Sequence, residues 1–194
     1  MKRILLTVTA VATASAFFFV SPGSTQGPPD EQSKIQQGFA IMQSSGIPLD
    51  MKGKNPSLVG LGSYIVNSQG DCNGCHGNLS WAAGHDPFQG QPAQLSATGY
   101  LVGGAPLFGP VFVPRNLTPN GAGLPAGMTL DQFIHTIRTG QDRRATGAPP
   151  DSPLLQIMPW PVFRNMTDRD LSAIYEFLSS IPCREGTRPG RCNP

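Results

Sequence analysis

The sequence predicts an all-α protein in which a few helices are joined by long irregular loops. Four segments place apolar residues on one helical face and are flanked by residues that favour helix ends. The chain also holds 23 glycines and 20 prolines among 194 residues, which indicates that much of its length lies in turns and ordered loops. At this length we expect one domain with terminal extensions.

Two helices are predicted in the first 70 residues. Residues 31–45 are expected to form a short amphipathic helix that packs on the domain. The next helix is predicted to begin at Asn55 and Pro56, because asparagine is a good N-cap and proline is favoured at the first helical position. It is expected to end near Gly70, and Gly62 within it would permit close approach by another helix.

Two more helices are predicted in the second half of the chain. Thr129 and Gln132 form a capping-box pattern ahead of a helix that Gly140 would end. The last helix is predicted to begin at Thr167 and to stop before Pro182, since proline cannot continue a helix.

A long loop, residues 81–125, is rich in glycine and proline. Within it, residues 100–103 and 110–113 are expected to pair as a small β-hairpin. Loops of this length are uncommon unless they are functional or enclose a ligand.

The N-terminus is typical of a secretory signal. Lys2 and Arg3 precede an apolar run, residues 4–20, and small residues follow it. We expect a signal peptide over residues 1–25 and an N-terminal extension over residues 26–54. The alternative is an uncleaved membrane anchor, because about 17 apolar residues is the lower limit for crossing a bilayer. In both cases the remaining chain is expected in the periplasm.

Cysteine usage near the C-terminus agrees with export. Cys183 and Cys192 lie in a C-terminal tail, residues 183–194, and in an oxidising compartment we expect them to form a disulfide. The alternative is a pair of free surface thiols.

The motif with the most chemical content is Cys72-Asn73-Gly74-Cys75-His76, which has the C-x-x-C-H spacing of covalent c-type haem attachment. Each thiol can add to one vinyl group on the same edge of the porphyrin, and the adjacent histidine can then ligate the iron. A zinc site needs about four ligands, and a thioredoxin-like site is expected between a strand and a helix. Because neither alternative requires the histidine, the motif predicts one covalently attached haem.

The second axial ligand decides whether the iron is open to small molecules or serves as an electron carrier. The downstream candidates are Met128, His135, Met158 and Met166. Met158 is favoured because it lies in a non-helical segment, Ile-Met-Pro-Trp-Pro, whose prolines stiffen the backbone. Methionine opposite histidine raises the potential of haem iron. The alternative is that Met158 is an ordinary core methionine.

Taken together, these segments resemble a class I c-type cytochrome of the exported, single-haem bacterial kind, similar to cytochromes associated with periplasmic dehydrogenases. The resemblance covers about residues 55–182. It rests on Gly62-Ser63-Tyr64, the C-x-x-C-H motif, Asn116-Leu117-Thr118-Pro119, residues 133–140, Met158-Pro159-Trp160 and the last helix. It implies a cytochrome c domain over residues 55–182, in which the first and last helices cross and long loops wrap the haem.

The resemblance also implies roles for particular residues. Cys72 and Cys75 become the thioether attachments. His76 and Met158 become the axial ligands of the iron. Contacts to the haem pocket or the propionates are implied for Asn116, Thr118, Arg138 and Trp160.

The implied function is electron transfer by a carrier that is not itself an enzyme. Its implied partners are periplasmic redox proteins, such as a dehydrogenase and a terminal oxidase or another cytochrome. Alternatives are a haem subunit of a dehydrogenase complex, a haem enzyme or ligand sensor, and a thiol oxidoreductase. The net charge of +2, with scattered basic residues, argues against nucleic acid as a partner. A membrane is expected as a partner only if the N-terminal segment is not cleaved.

Overall fold

The computed structural model describes residues 29–78, 80–104, 112–142, 154–186 and 189–193. The predicted signal peptide lies outside these ranges, and so do residues 110 and 111 of the predicted hairpin. Residues 100–103, the first arm of that hairpin, form turns and irregular backbone rather than a strand.

The described residues are mostly helical, which agrees with the predicted all-α class. The helices are α1 (Pro29–Ser45), α2 (Pro56–Tyr64), α3 (Cys72–His76), α4 (Leu130–Thr139), α5 (Trp160–Phe163) and α6 (Asp168–Ser180). β structure within the described ranges is limited to isolated bridges, such as the one between Trp81 and Leu95. In the same ranges, none of the helices combines the length and apolar character needed to cross a membrane.

Local capping explains where three of the helices begin. The Asn55 side chain accepts hydrogen bonds from the backbone N–H groups of Ser57 and Leu58, at 3.0 and 3.3 Å. Capping boxes start α4 at Thr129 and α6 at Thr167. Each box satisfies backbone N–H groups that have no partner inside the helix. These three predicted helix starts are therefore confirmed.

Helix α2 packs against α1 on one side and α6 on the other, and glycines make both approaches possible. A Cβ atom at Gly38 of α1 would clash with the carbonyl of Gly60 in α2, and one at Gly62 would clash with the carbonyl of Ala173 in α6. The Ser63 hydroxyl also donates to the carbonyl of Gly38 at 2.8 Å. The expectation that Gly62 permits close helix approach is confirmed.

The predicted disulfide between Cys183 and Cys192 is formed. It closes a loop that follows α6. This loop packs on the segment around residue 118, as described below.

Candidate functional site

Helix α2 changes its winding just before the C-x-x-C-H motif. It widens into one π-helical turn, Ile65–Gln69, and such turns are frequent at functional sites. Asp71 then takes a left-handed conformation with φ 42°, which aspartate tolerates better than most residues. These two features end the helix and start α3 at Cys72 in a new direction.

Helix α3 is a single turn that is held by the loop above it. The side chain of the buried Asn73 accepts a hydrogen bond from the backbone N–H of Leu101 at 2.9 Å. The backbone N–H of Gly103 donates to the carbonyl of His76 at 2.6 Å. Residues at both ends of α3 are thus fixed to the segment 101–103, part of the long predicted loop.

The motif opens onto a cavity of about 370 Å³, within the range of cofactor pockets. Cys72, Cys75 and His76 line it, and so does Met158, which is 82 residues away from His76 in the chain. The rest of the wall is largely apolar, and much of it comes from α4, α6 and the π-helical turn that follows α2. It includes Val66, Phe133, Ile137, Leu171, Ile174 and Leu178.

The ring of His76 is oriented by one hydrogen bond. Its Nδ1 lies 2.7 Å from the carbonyl oxygen of Arg115. Because a carbonyl only accepts, Nδ1 carries the proton and Nε2 keeps its lone pair. Burial lowers the pKa of His76 to about 4, so the ring is neutral near pH 7. A neutral imidazole whose second nitrogen donates to a backbone carbonyl is the usual form of a metal-ligating histidine.

The two cysteines of the motif are not joined to each other. Burial raises the pKa of the Cys72 thiol to about 12, whereas Cys75 is exposed at the cavity mouth. A thiol with so high a pKa holds its proton at neutral pH. Thiols of disulfide oxidoreductases have the opposite property, a lowered pKa.

Met158 lies in an irregular segment that has one hydrogen bond to the end of α4 and one within itself. The N–H of Leu155 donates to the carbonyl of Gly140 at 2.8 Å, and the N–H of Trp160 donates to the carbonyl of Met158 at 2.7 Å. The position agrees with the predicted non-helical loop. Met128 and Met166 also line the cavity, whereas His135 is not among its lining residues.

Asn116 and Thr118, for which the resemblance implies haem contacts, form hydrogen bonds with the C-terminal tail. The Asn116 side chain donates to the carbonyl of Arg184 at 2.8 Å. The Thr118 hydroxyl donates to the Asn116 side-chain oxygen at 2.7 Å and accepts from the N–H of Arg184 at 3.2 Å. Neither residue lines the cavity.

Arg138 and Trp160 also lie behind the cavity wall rather than on it. The Arg138 guanidinium donates to the carbonyls of Arg164 and Met166 and pairs with Asp168. The Trp160 indole packs on Gly140 and donates to the carbonyl of Leu155 at 3.2 Å. Trp160 thus supports the segment that carries Met158, and Arg138 supports the chain between α5 and α6.

Five polar residues that were not predicted from the sequence line the cavity: Asp71, Arg115, Thr136, Asp142 and Gln156. Arg115 and Asp142 form an ion pair on its wall, with 32% and 10% of their side chains exposed. Thr136 lines the cavity too, and its hydroxyl is buried without a hydrogen-bond partner. Arg115 directly precedes the segment Asn116 to Pro119, on which the resemblance rests in part. This neighbourhood is the sequence feature from which its place at the site could have been predicted. Nothing local indicated the hydroxyl of Thr136.

Among the described residues, no three His, Cys, Asp or Glu side chains are grouped so that they could hold a metal ion by themselves. No family model matches the chain, and neither a curated protein nor a solved structure matches it. The motif and the cavity are therefore the features of the chain that indicate a function.

Proposed function

We propose that this protein is an exported c-type cytochrome that binds one haem covalently and carries electrons between periplasmic redox partners. One observation carries the proposal: the two cysteines and the histidine of the motif line the same cavity as Met158. The predicted N-terminal signal is the basis for proposing export. The all-α fold is proposed to be the cytochrome c fold, with the close pair α2 and α6 as its first and last helices.

In this proposal the motif holds one edge of the haem. The Cys72 and Cys75 thiols would hold the haem by adding across its two vinyl groups, each giving a thioether with no leaving group. The position of both residues on one helical turn supports attachment at one edge. The largely apolar cavity wall supports a flat apolar ring as the occupant.

His76 and Met158 are proposed as the two axial ligands. The free lone pair on Nε2 of His76 supports the first assignment, since Nδ1 is held by the Arg115 carbonyl. The bound haem supplies a one-electron couple between ferric and ferrous iron. The protein's own task is then to keep both ligands in place and to exclude water from the cavity.

For the charged contact to a propionate we propose Arg115 in place of Arg138. Arg115 lines the cavity, whereas Arg138 uses its donors on backbone carbonyls and Asp168. Asp142 beside Arg115 would hold the guanidinium in position.

Electrons are proposed to pass at the open side of the cavity. Phe112, Val113 and Ile157 line the cavity and are 37%, 55% and 45% exposed. An apolar rim of this kind suits the small, short-lived contacts of redox proteins. The raised pKa of Cys72 does not favour a role for this thiol as the nucleophile of an oxidoreductase.

The test compares the two cysteine pairs in protein made in a periplasm that contains the haem-attachment machinery. Wild type is expected to show a sharp reduced α-band and to retain haem on a denaturing gel. The double variant Cys72→Ser with Cys75→Ser is expected to lose the gel-stable haem. The matched control, Cys183→Ser with Cys192→Ser, is expected to keep it. A colourless wild-type protein would remove the proposal.

A further inference from the structure

The disulfide-closed loop at the C-terminus contacts the chain next to His76. We define the tail loop as residues 183–186 and 189–192, closed by the Cys183–Cys192 disulfide. The carboxylate of Glu185 accepts from the backbone N–H of Arg191 at 2.7 Å, which ties its two arms together. The tail loop is therefore a compact unit and not a loose end.

Both arms of the tail loop bind the same short segment. On the first arm, the carbonyl of Arg184 accepts from the Asn116 side chain at 2.8 Å, and its N–H donates to the Thr118 hydroxyl at 3.2 Å. On the second arm, Arg191 donates from its guanidinium to the carbonyl of Thr118 and accepts from the N–H of Gly121 at 2.9 Å. Segment 116–121 is thus held by the tail loop at several points.

The peptide group that orients His76 belongs to this held segment. The carbonyl that accepts from Nδ1 of His76 is that of Arg115, and it shares one planar peptide unit with the N–H of Asn116. Any rotation of Asn116 about its N–Cα bond changes the angle between that peptide plane and the His76 ring. Asn116 itself is fixed by Thr118, whose hydroxyl and N–H both donate to its side-chain oxygen, at 2.7 and 2.9 Å.

We propose that the tail loop is a positioning element for His76, acting through Thr118 and Asn116 on the Arg115 carbonyl. This inference rests on the proposed function, because its readout is the haem iron. When the Nδ1–H group of His76 donates a well-aligned hydrogen bond, the imidazole becomes more basic and its Nε2 gives its lone pair to a metal more strongly. Stronger donation favours the ferric state, so an intact tail loop lowers the midpoint potential and an opened loop raises it.

The experiment measures the midpoint potential of the purified holoprotein. Cys183→Ser with Cys192→Ser is expected to lower the ferric-to-ferrous ratio at a fixed applied potential about threefold, which is a rise of about 28 mV for a one-electron couple. Thr118→Val, which removes the hydroxyl, is also expected to raise the midpoint potential. Thr118→Ser, which keeps the hydroxyl, is expected to remain close to wild type. The control Asn165→Ala removes only local bonds to Pro161 and Val162 and is expected to cause no shift.

A second readout is the Nδ1 proton of His76 in the reduced, diamagnetic protein. Its exchange with solvent, followed by NMR, is expected to be about tenfold faster when the tail loop is opened, as for a hydrogen bond weakened by about 1.4 kcal/mol. Suppose that the disulfide variant and Thr118→Val both bind haem, and that neither changes the midpoint potential or the exchange rate of the His76 Nδ1 proton. That result would overturn this inference and leave the proposed function standing. A wild-type protein without haem would overturn the proposed function.

Discussion

The cavity has two kinds of wall, and they are held in different ways. One wall is made by α4, α6 and the π-helical turn that follows α2, and it is supported by apolar packing and by the close contact between α2 and α6. The other is made by the short helix α3 and the irregular segments at 112–117 and 155–159, which hold their places by hydrogen bonds to distant residues. The two walls therefore have different roles. The helical wall provides stability, and the loop wall provides the groups that we propose to bind and tune the iron.

The largest effect is expected on the helical wall, at Gly62. Gly62→Ala would force its Cβ into the carbonyl of Ala173 and separate α2 from α6. We expect a loss of about 3 kcal/mol in the free energy of unfolding, measured by denaturant titration. The matched control is Gly123→Ala, where there is open space and only a positive φ to oppose; it is expected to cost about 1 kcal/mol. Equal losses at both sites would contradict the role of the close helix contact.

The next effect concerns the loop wall and leaves stability almost unchanged. Met158→Leu conserves volume but removes the proposed thioether ligand. We expect the holoprotein to bind cyanide or carbon monoxide about 100-fold more tightly, a change of about 2.8 kcal/mol. Binding is followed in the visible spectrum.

Two other methionines provide the controls for this test. Met128 and Met166 also line the cavity, so Met128→Leu and Met166→Leu change the same kind of wall. Both are expected to leave ligand binding as in wild type. If Met166→Leu opened the iron and Met158→Leu did not, the ligand assignment would pass to Met166.

A smaller effect is expected at Arg138, which supports the chain between α5 and α6. Arg138→Met keeps the apolar stem but removes the donors to Arg164, Met166 and Asp168. Because the guanidinium is part exposed, we expect a loss of about 1 kcal/mol in unfolding free energy. Arg169→Met, which removes a more exposed guanidinium that pairs with Glu31, is expected to cost about half as much. A larger loss of unfolding free energy for Arg169→Met than for Arg138→Met would contradict the expected contribution of the Arg138 hydrogen bonds.

The last effect, of similar size, concerns pH and the hydrogen bond between Tyr100 and the π-helical turn that precedes the motif. The Tyr100 hydroxyl donates to the Asn67 side chain at 2.7 Å, and burial raises the pKa of Tyr100. The folded state therefore retains this proton more tightly than the unfolded state does. The resulting stability is fully present below about pH 10 and is lost as the pH rises above it.

The variant Tyr100→Phe checks this pH dependence. It is expected to cost about 1 kcal/mol near neutral pH, because the Asn67 oxygen loses its donor. Its unfolding free energy should then fall less steeply than that of wild type above about pH 10. Parallel curves for the two proteins would exclude Tyr100 as the titrating group.

The same division explains what could be predicted from sequence. Helix starts at Asn55, Thr129 and Thr167 follow from residues within one turn of each other, so local patterns predicted them. The C-x-x-C-H motif is also local, which is why the residues of α3 could be chosen in advance. The proposed pairing of Met158 with this motif depended on a segment far along the chain, and its place on the cavity wall agrees with that choice.

The partners of the supporting residues could not be predicted, because they lie far apart in sequence. Asn116 meets Arg184 across 68 residues, and Arg138 meets Asp168 across 30. Such contacts depend on how loops return to the domain, and composition carries little information on that. The same holds for Arg115, whose carbonyl and side chain both serve the cavity.

The intact mass of the denatured protein tests the central claim most directly. Protein purified from a periplasm with haem-attachment machinery is expected to weigh one haem more than the chain, with the Cys183–Cys192 disulfide still formed. Cys72→Ser with Cys75→Ser should return the mass to that of the chain without haem. A wild-type protein that carries no added mass would contradict the assignment of this cavity to a covalent haem.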